Sequence, residues 1–324
     1  MAQRQNPYCY TQPIENTGLF VGRSAQIVRC CELIDKEACL SFVGGPSSGL
    51  TSLLKRALAP DICQSCAEPA ESLRFVYLDC SSFPDPLDLV RRLLQELAPD
   101  QAPPRVPRWQ PAFGQLIRAM EALRAKGTRA VLLLDDFEEI GANEKYIEFL
   151  DRFRGLTNHA RMSLITATHT QLKSCCHMSI AESPFPNMFS VEYVGAFTEQ
   201  EAQEFIAATS AMSGLDLTPY AEEIFALSGR MPYLMQMACW RYYQLLAERQ
   251  RPDYQDVEAF IVQEAASTFD RVWAGLTDEE RQVLSGLSKG EAVPTAKSEL
   301  VAKGYVAGER ICSSALARYV ARLG

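Results

Sequence analysis

Residues 44–51 have the sequence GGPSSGLT, which follows the spacing of the phosphate-binding P-loop, G-x-x-x-x-G-K-[ST], with leucine at the lysine position. In a P-loop, backbone N–H groups and the start of the next helix bind phosphates, the lysine contacts the β and γ phosphates, and the Ser or Thr hydroxyl binds Mg²⁺. The flanks fit, because residues 39–43 predict a buried strand and residues 51–58 a helix that ends before Pro60. The sequence therefore predicts a P-loop without its mobile positive charge; an ordinary Gly/Ser turn is the alternative.

A second apolar segment ends in two carboxylates. Residues 130–134 (AVLLL) predict a central parallel strand, and Asp135 and Asp136 follow directly. This is the pattern of a Walker B strand, in which Asp135 holds Mg²⁺ through water. Asp136 stands where related ATPases usually carry a glutamate that orients the attacking water, and its shorter side chain predicts impaired catalysis. The alternative is that these acids only stabilise a helix N-terminus.

Two further regions, an N-terminal one that leads into an F-x-G-R box and one at residues 228–234, resemble motifs of one family, the Orc/Cdc6-like STAND branch of the AAA+ ATPases. Residues 6–14 (NPYCYTQPI) and 19–23 (LFVGR) resemble its N-terminal signature and F-x-G-R box, and residues 228–234 (SGRMPYL) resemble its G-x-P motif. The four motifs occur in the family's order, and the resemblance covers roughly residues 6–320. It departs from the family at Leu50 and Asp136.

The resemblance implies an α/β fold, a P-loop NTPase sheet of parallel strands with helices on both faces, followed by a helical lid and a C-terminal winged-helix-like domain. The corresponding domains are predicted at residues 1–196, 197–272 and 273–324. Two capping boxes, Thr198 to Glu201 and Thr277 to Glu280, begin predicted helices, and Thr218 is the predicted N-cap of a helix that starts with proline.

The family's site residues are carried over by motif. Phe20 to Arg23 are expected to line the adenine pocket, Thr51 and Asp135 to bind Mg²⁺, and Asp136 and Thr168 to act in catalysis, with Thr168 sensing the γ phosphate. Arg230 is expected to reach the nucleotide from the lid, with a surface position as the alternative; Lys55 is a less favoured substitute charge. The predicted nucleotide-binding residues are Phe20, Val21, Gly22, Arg23, Gly44, Gly45, Ser47, Ser48, Gly49, Leu50, Thr51, Ser52, Arg230 and Pro232.

The last segment, about residues 275–324, resembles a small winged helix, with residues 305–306 and 310–312 pairing as the wing. A single helix fits between Gly290 and Gly304, whereas a helix-turn-helix needs two. Residues 271–324 hold eight Lys or Arg and six Asp or Glu, so the segment is barely basic. A packing or partner surface is therefore favoured over DNA recognition.

Composition narrows the function further. The chain has 324 residues, 47% hydrophobic content and a formal net charge of -8, which disfavours a broad nucleic-acid-binding surface. It has neither a long apolar run nor an apolar signal-peptide core, so we expect a cytoplasmic protein with no membrane partner. Eleven cysteines include a C-x-x-C at residues 63–66 and the run CCH at 175–177, but zinc is not favoured, because such pairs occur by chance and cytosolic thiols stay reduced.

These observations predict a nucleotide-binding regulator or scaffold that binds ATP or ADP with Mg²⁺, more weakly than an intact P-loop, and hydrolyses ATP slowly or not at all. A protein partner or effector would be supplied in trans, and an oligomer is compatible with the family. The alternatives are a nucleotide-free interaction protein, an active ATPase that uses unusual residues, and a DNA-associated ATPase.

Overall fold

The computed structural model describes residues 6–14, 17–46, 48–59, 62, 72–101, 105–291 and 298–323. The chain forms two compact units. We call the first the sheet unit, residues 24–43 and 53–192, and the second the lid unit, residues 1–23, 44–52 and 193–324. Each unit has its own apolar core. The three predicted domain ranges divide the chain by motif rather than by packing, and they stay a prediction.

A five-stranded sheet confirms the predicted α/β fold. The strands are β1 Cys39–Val43, β2 Leu73–Asp79, β3 Arg129–Asp135, β4 Ser163–Thr168 and β5 Phe189–Tyr193, in the spatial order β2-β3-β4-β1-β5. The pairs β2/β3, β3/β4 and β4/β1 are parallel. Every residue of β1, β3 and β4 is buried, which explains why these strands are nearly continuous apolar runs.

The register of the sheet gathers polar residues at one edge. Asp135 at the end of β3 lies opposite Asp79 at the end of β2. Thr168 at the end of β4 lies opposite Val43, the last residue of β1. The strand β1 therefore ends beside the end of β4, as parallel strands with aligned carboxyl ends require.

Helices surround the sheet and build its core. For example, Asp85 caps a helix whose first residue is Pro86 by accepting hydrogen bonds from the N–H groups of Leu87 and Asp88. The helices along this part of the chain are Ser24–Asp35, Leu50–Ala57, Pro86–Leu97, Trp109–Ala125, Glu138–Gly141, Ile147–Ala160, Leu172–Cys175 and Met178–Ala181, with 3₁₀ turns at Cys80–Ser82, Glu144–Tyr146 and Pro186–Met188.

The lid unit is mainly helical. Both predicted capping boxes form, at Thr198 and Glu201 and at Thr277 and Glu280. Its helices are Glu199–Ser213, Ala221–Ser228, Pro232–Ala247, Tyr254–Glu264, Ala266–Ala274, Asp278–Ser288, Ser298–Ala302 and Ser314–Val320, with 3₁₀ turns at Thr17–Leu19 and Thr218–Tyr220 and a hairpin of β6 Val306–Ala307 and β7 Arg310–Ile311.

One predicted cap is wrong. Thr218 lies in a 3₁₀ turn, and the following helix starts at Ala221 without a side-chain cap. The Thr218 hydroxyl donates instead to the carboxylate of Asp216, which also accepts the Thr218 N–H at 2.9 Å. A local turn centred on Asp216 therefore replaces the expected cap.

The predicted wing forms as the antiparallel pair β6/β7, in which Val306 lies opposite Ile311. The helix Ser314–Val320 follows it and was not predicted from the sequence. Residues 292–297, part of the segment between Gly290 and Gly304 in which a helix-turn-helix needs two helices, lie outside the described residues. Among the helices that the structure describes, none is long and apolar enough to cross a membrane.

Candidate functional site

The phosphate loop contains three glycines, each required for a different local reason. A Cβ at residue 44 would lie 2.6 Å from the Val194 carbonyl oxygen, and one at residue 45 would lie 2.6 Å from Cζ of Tyr305. Gly49 has a φ of +83°, in the left-handed region that disfavours side chains. The helix Leu50–Ala57 starts immediately after it. Gly49 thus allows the loop to turn into a helix N-terminus, as a phosphate-binding loop requires.

The side chain of Arg23 packs against this loop. Its side chain is buried, and one guanidinium nitrogen donates to the carbonyl oxygens of Ser48, at 3.0 Å, and Gly195. The guanidinium carbon lies 4.8 Å from the centre of the Phe197 ring. Burial lowers the pKa of Arg23 to about 10, with the nearby Glu201 acting in the opposite direction. The guanidinium is still charged at neutral pH and lies directly against the loop.

The predicted adenine-pocket residues lie next to this contact. A Cβ at Gly22 would be 3.0 Å from the Phe197 ring, and the φ of Gly22 is +81°. The Arg23 N–H donates to Glu201, the residue that completes the capping box of the helix Glu199–Ser213. Phe20 and Val21 are half-buried. The F-x-G-R box is therefore fixed to the first lid helix, and its role in adenine binding stays a prediction.

Tyr305 of the C-terminal hairpin region packs against the loop. Its hydroxyl lies so close to the α-carbon of Gly45 that any side chain at residue 45 would overlap it. Tyr305 is 3% exposed, and its hydroxyl has no hydrogen-bond partner among the described residues. The buried Ser48 hydroxyl also lacks a partner within the described part of the chain. Burial, and secondarily the charge of Glu280, raises the pKa of Tyr305, so the phenol stays protonated.

The G-x-P segment lies on the other side of the loop. Pro232, the first residue of the helix Pro232–Ala247, has its Cβ 3.9 Å from the position that a Cβ of Gly49 would take. Arg230 has a φ of +61°, and its carbonyl accepts the Phe197 N–H. The positive charge of Arg230 acts on Cys312, where it opposes the rise in thiol pKa caused by burial. Its reach to the nucleotide stays a prediction.

The remaining predicted loop residues are placed as follows. Leu50 is buried and is the first residue of its helix. The Ser52 hydroxyl accepts the Ile14 N–H at 3.0 Å, which ties the N-terminal segment to the loop. Ser47 lies outside the described residues. Thr51 belongs to the lid unit and Asp135 to the sheet unit, and their shared Mg²⁺ site stays a prediction.

The Walker B strand ends in a buried carboxylate. Asp135 is 3% exposed; its Oδ2 accepts the Tyr77 hydroxyl at 2.8 Å and its Oδ1 the Asp136 N–H at 3.2 Å. Burial and the Asp135 charge raise the pKa of Tyr77, which keeps it a donor. Lys55 lies over the Tyr77 ring, with Nζ 5.9 Å from its centre. Tyr77, which the motifs did not reveal, thus orients the predicted metal ligand.

Asp136 has a φ of +46°, which Asp and Asn tolerate better than most residues. The carboxylates of Asp136 and Glu138 and the imidazole of His169 form one group of possible metal ligands. One ligand atom of each lies within 4.8 Å of the other two. The His169 N–H donates to Glu138 at 3.1 Å. Burial raises the pKa of Glu138 and the nearby His169 opposes that rise. Glu138 was not among the predicted site residues.

Thr168 is buried at the end of β4, and its hydroxyl donates to the Thr170 carbonyl oxygen at 2.7 Å. Its donor is thus engaged within its own turn, and the sensor role stays a prediction. Of the cysteines considered for zinc, Cys63 and Cys66 lie outside the described residues. Cys175 and Cys176 are free thiols in mutual contact, which lowers the pKa of Cys175.

Comparison with known proteins agrees with this geometry. The model of the family Novel STAND NTPase 2 matches residues 93–293. No curated protein matches the sequence. Among solved structures, the Walker-type ATPase PABY2304 of Pyrococcus abyssi is similar, with a TM-score of 0.67 and 14% identity over 96% of this chain and 98% of that chain.

Two structures of Aeropyrum pernix proteins are also similar. The Aeropyrum pernix ORC2 protein, in its ADPNP-ADP complexes, has a TM-score of 0.60 and 13% identity over 93% of both chains. The Aeropyrum pernix ORC1 protein in complex with DNA has a TM-score of 0.53 and 14% identity over 94% of this chain and 93% of that chain. At these identities the likeness shows the fold alone.

The sheet, the loop and the Walker B strand define a P-loop NTPase of the AAA+ type, a class that generally binds nucleotide with Mg²⁺. Within that class, the chain belongs to the Novel STAND NTPase 2 family. The resemblance found in the sequence is therefore confirmed.

Proposed function

We propose that this protein is a nucleotide-binding regulator or scaffold that hydrolyses ATP weakly or not at all and acts through a protein partner supplied in trans. The observation that carries the proposal is the phosphate loop itself. It keeps the glycines that its tight packing and its turn into the helix require, while a buried leucine occupies the lysine position. The turn at Gly49 brings the loop into the start of the helix Leu50–Ala57, which is the backbone geometry that phosphate binding uses.

The missing charge of the P-loop lysine is expected to weaken ATP binding less than ATP hydrolysis. Losing a unit charge about 4 Å from a phosphate costs roughly 4 kcal/mol at an effective dielectric of about 20. Backbone N–H groups bind the ground-state phosphates and remain, and Arg23 leaves a positive charge against the loop. Hydrolysis depends on stabilising charge that develops at the γ phosphate, so it is expected to suffer more.

Calorimetric titration of ATP and ADP with Mg²⁺ into nucleotide-free protein tests the proposal. Micromolar binding, abolished by Gly49→Glu, is the expected result, because the new side chain would occupy a left-handed position and carry negative charge into the loop. Absence of binding would refute the proposal and favour the interaction protein that has lost its nucleotide.

A hydrolysis assay separates the proposal from the active-ATPase alternative. We expect turnover no faster than in the Asp135→Asn variant, since that variant neutralises the predicted metal ligand. Steady turnover that Asp135→Asn abolishes would instead identify an ATPase that works without the P-loop lysine. The DNA-associated alternative predicts salt-dependent binding of duplex DNA, which the net charge of -8 disfavours.

A further inference from the structure

The hydroxyl of Tyr305 is a buried donor without an acceptor. It lies against Gly45 of the phosphate loop, and the residue is 3% exposed. An unsatisfied buried hydroxyl costs the full desolvation free energy of that group. Phenylalanine would fill the same space without that cost. The hydroxyl therefore needs a function that the ring alone does not provide.

A second unpaired donor lies in the same loop. The Ser48 hydroxyl is buried without a partner among the described residues, and a Cβ at Gly44 would overlap it. The two hydroxyls thus lie against successive glycines of the loop. The guanidinium of Arg23 donates to the Ser48 carbonyl, so a positive charge lies next to Ser48. Two free O–H donors and a buried cation at a helix N-terminus are the groups that bind a phosphate.

We propose that the hydroxyls of Tyr305 and Ser48 donate hydrogen bonds to the phosphates of the bound nucleotide and take over part of the role of the missing lysine. This inference rests on the proposed nucleotide binding and adds the residues that compensate for Leu50. Tyr305 comes from the C-terminal module, residues 298–323, so the phosphate would be bound partly by that module.

Backbone contacts fix the position of Tyr305. Its N–H donates to the Leu300 carbonyl and its carbonyl accepts the Cys312 N–H, both at 2.9 Å. The preceding Gly304 packs on Ala196, with a φ of +78° and no space for a side chain. Because the ring cannot move independently of the module, a phosphate that binds Tyr305 also stabilises the docked module, and the coupling is reciprocal.

The opposing interpretation treats Tyr305 as a plug that excludes nucleotide from the loop. The two ideas predict opposite results for Tyr305→Phe. A phosphate donor lost at this site should weaken ADP binding by about tenfold or more, since hydrogen bonds to charged groups are worth about 1.5–3 kcal/mol and about 1.4 kcal/mol is tenfold. A plug keeps its ring in Tyr305→Phe, so binding would be unchanged, and Tyr305→Ala would tighten it.

The experiment measures ADP, ATP and adenosine binding by calorimetry for the wild type, Tyr305→Phe and Ser48→Ala. The control is Tyr254→Phe, which removes another lid-unit hydroxyl, one that pairs with Ser314 at 2.8 Å. We expect both test variants to lose affinity for ADP and ATP and the control to keep its affinity. Nucleotide-free Tyr305→Phe should melt at or above the temperature of the wild type, because it removes the unpaired buried hydroxyl. The difference between variants should be absent with adenosine, which has no phosphate.

Hydrogen exchange provides a second measurement that does not depend on affinity. Saturating ADP should slow amide exchange in residues 298–323 of the wild type and do so less in Tyr305→Phe. ADP affinity in Tyr305→Phe and Ser48→Ala equal to or greater than that of the wild type would overturn this inference while leaving nucleotide binding intact. A wild type that binds no nucleotide would overturn the proposed function as well, so the two failures are distinguishable.

Discussion

The hydroxyl of Tyr305 and the α-carbon of Gly45 are in direct contact, so the C-terminal module closes against the phosphate loop within one compact unit. Ser313 makes a comparable contact, because its hydroxyl donates to the Leu227 carbonyl at 2.6 Å. A Cβ at Gly229 would lie 2.8 Å from the Ser313 nitrogen. The module is thus packed on both the loop and the G-x-P segment. Substitutions at these contacts should therefore change the free energy of unfolding.

Gly45→Ala should destabilise the protein by about 1–3 kcal/mol, the usual cost of overfilling a packed site. The new methyl group would lie 2.6 Å from Cζ of Tyr305, which is buried and cannot swing into solvent. Urea unfolding of Gly45→Ala, Tyr305→Ala and the double variant provides a double-mutant cycle. We expect the double variant to be clearly more stable than the sum of the single effects predicts.

Gly155→Ala is the matched control for this cycle. Gly155 is exposed within the helix Ile147–Ala160, and a Cβ there meets no atom within 4 Å among the described residues. Alanine should therefore stabilise the protein by about 0.5–1 kcal/mol. Additive effects of Gly45→Ala and Tyr305→Ala would show that the two residues do not constrain each other in solution.

Local sequence patterns predicted much of the fold, because burial on both faces leaves continuous apolar runs. The strand Cys39–Val43 was predicted without error, and the strand Arg129–Asp135 to within one residue at either end. The capping boxes were also predictable, since a hydroxyl and a carboxylate three residues apart satisfy each other's backbone groups. The cap at Thr218 failed because a neighbouring aspartate competes for the same groups.

The contacts that build the site were not predictable in the same way. Arg23 is predicted to line the adenine pocket, and its motif did not reveal that the guanidinium donates to two carbonyl groups, one of them in the phosphate loop. Tyr305 was expected only as part of the wing. Both contacts join residues far apart in the chain, and a single sequence carries no periodicity that reports such pairs. An unpaired buried hydroxyl becomes visible only when its surroundings are known.

Arg23→Met should cost about 2–3 kcal/mol, because hydrogen bonds from a charged donor are worth about 1.5–3 kcal/mol and two buried carbonyl groups lose their partner. Arg23→Lys should lie between the wild type and Arg23→Met, since an ammonium keeps the charge without the planar fork. Thermal and urea unfolding measure these differences. Arg29→Met is the control, because the Arg29–Glu32 pair is exposed and worth about 0–1 kcal/mol. Equal losses in the free energy of unfolding for Arg23→Met and Arg29→Met would contradict a stabilising role for the Arg23 hydrogen bonds.

Glu201 should make stability depend on pH. Burial acts to raise its pKa, but hydrogen bonds from the N–H groups of Thr198 and Arg23 outweigh burial and hold the pKa below its usual range. A depressed folded-state pKa contributes stability that is present above the unfolded-state value, about 4.3, and lost as pH falls through the folded-state value. Glu201→Gln should therefore be less stable than the wild type at neutral pH, and the difference should shrink in acid.

Urea unfolding at pH 7, 5 and 3.5 measures that difference. Glu204→Gln, on the exposed side of the same helix, is the control, and its side chain contacts Gln200 at 2.8 Å. We expect the stabilities of Glu201→Gln and the wild type to differ at pH 7 and pH 5 and to lie closer together at pH 3.5, because the contribution of Glu201 is lost only below about 4.3. A difference that stays constant over the whole range would show that the carboxylate charge of Glu201 does not contribute to the contact with Arg23.

Leu50→Lys restores the lysine of the P-loop and should raise ATP affinity. Residue 50 is the first residue of the helix Leu50–Ala57 and directly follows Gly49, the position from which a P-loop lysine reaches the phosphates. The Coulomb estimate of roughly 4 kcal/mol sets an upper limit on the order of a thousandfold. The gain should be smaller than this limit, because Leu50 is 7% exposed and its replacement removes buried apolar surface.

Leu50→Met is the control, since methionine is apolar and similar in size to leucine, and it is unbranched like lysine but carries no charge. Calorimetry should show tighter ATP binding for Leu50→Lys than for Leu50→Met, and equal affinities would mean that the loop does not direct residue 50 to the phosphate. Combining Leu50→Lys with Tyr305→Phe extends the test. If the tyrosine hydroxyl substitutes for the lysine, its loss should matter less once the lysine is present, so the affinity lost on Tyr305→Phe should be smaller in the Leu50→Lys background than in the wild type.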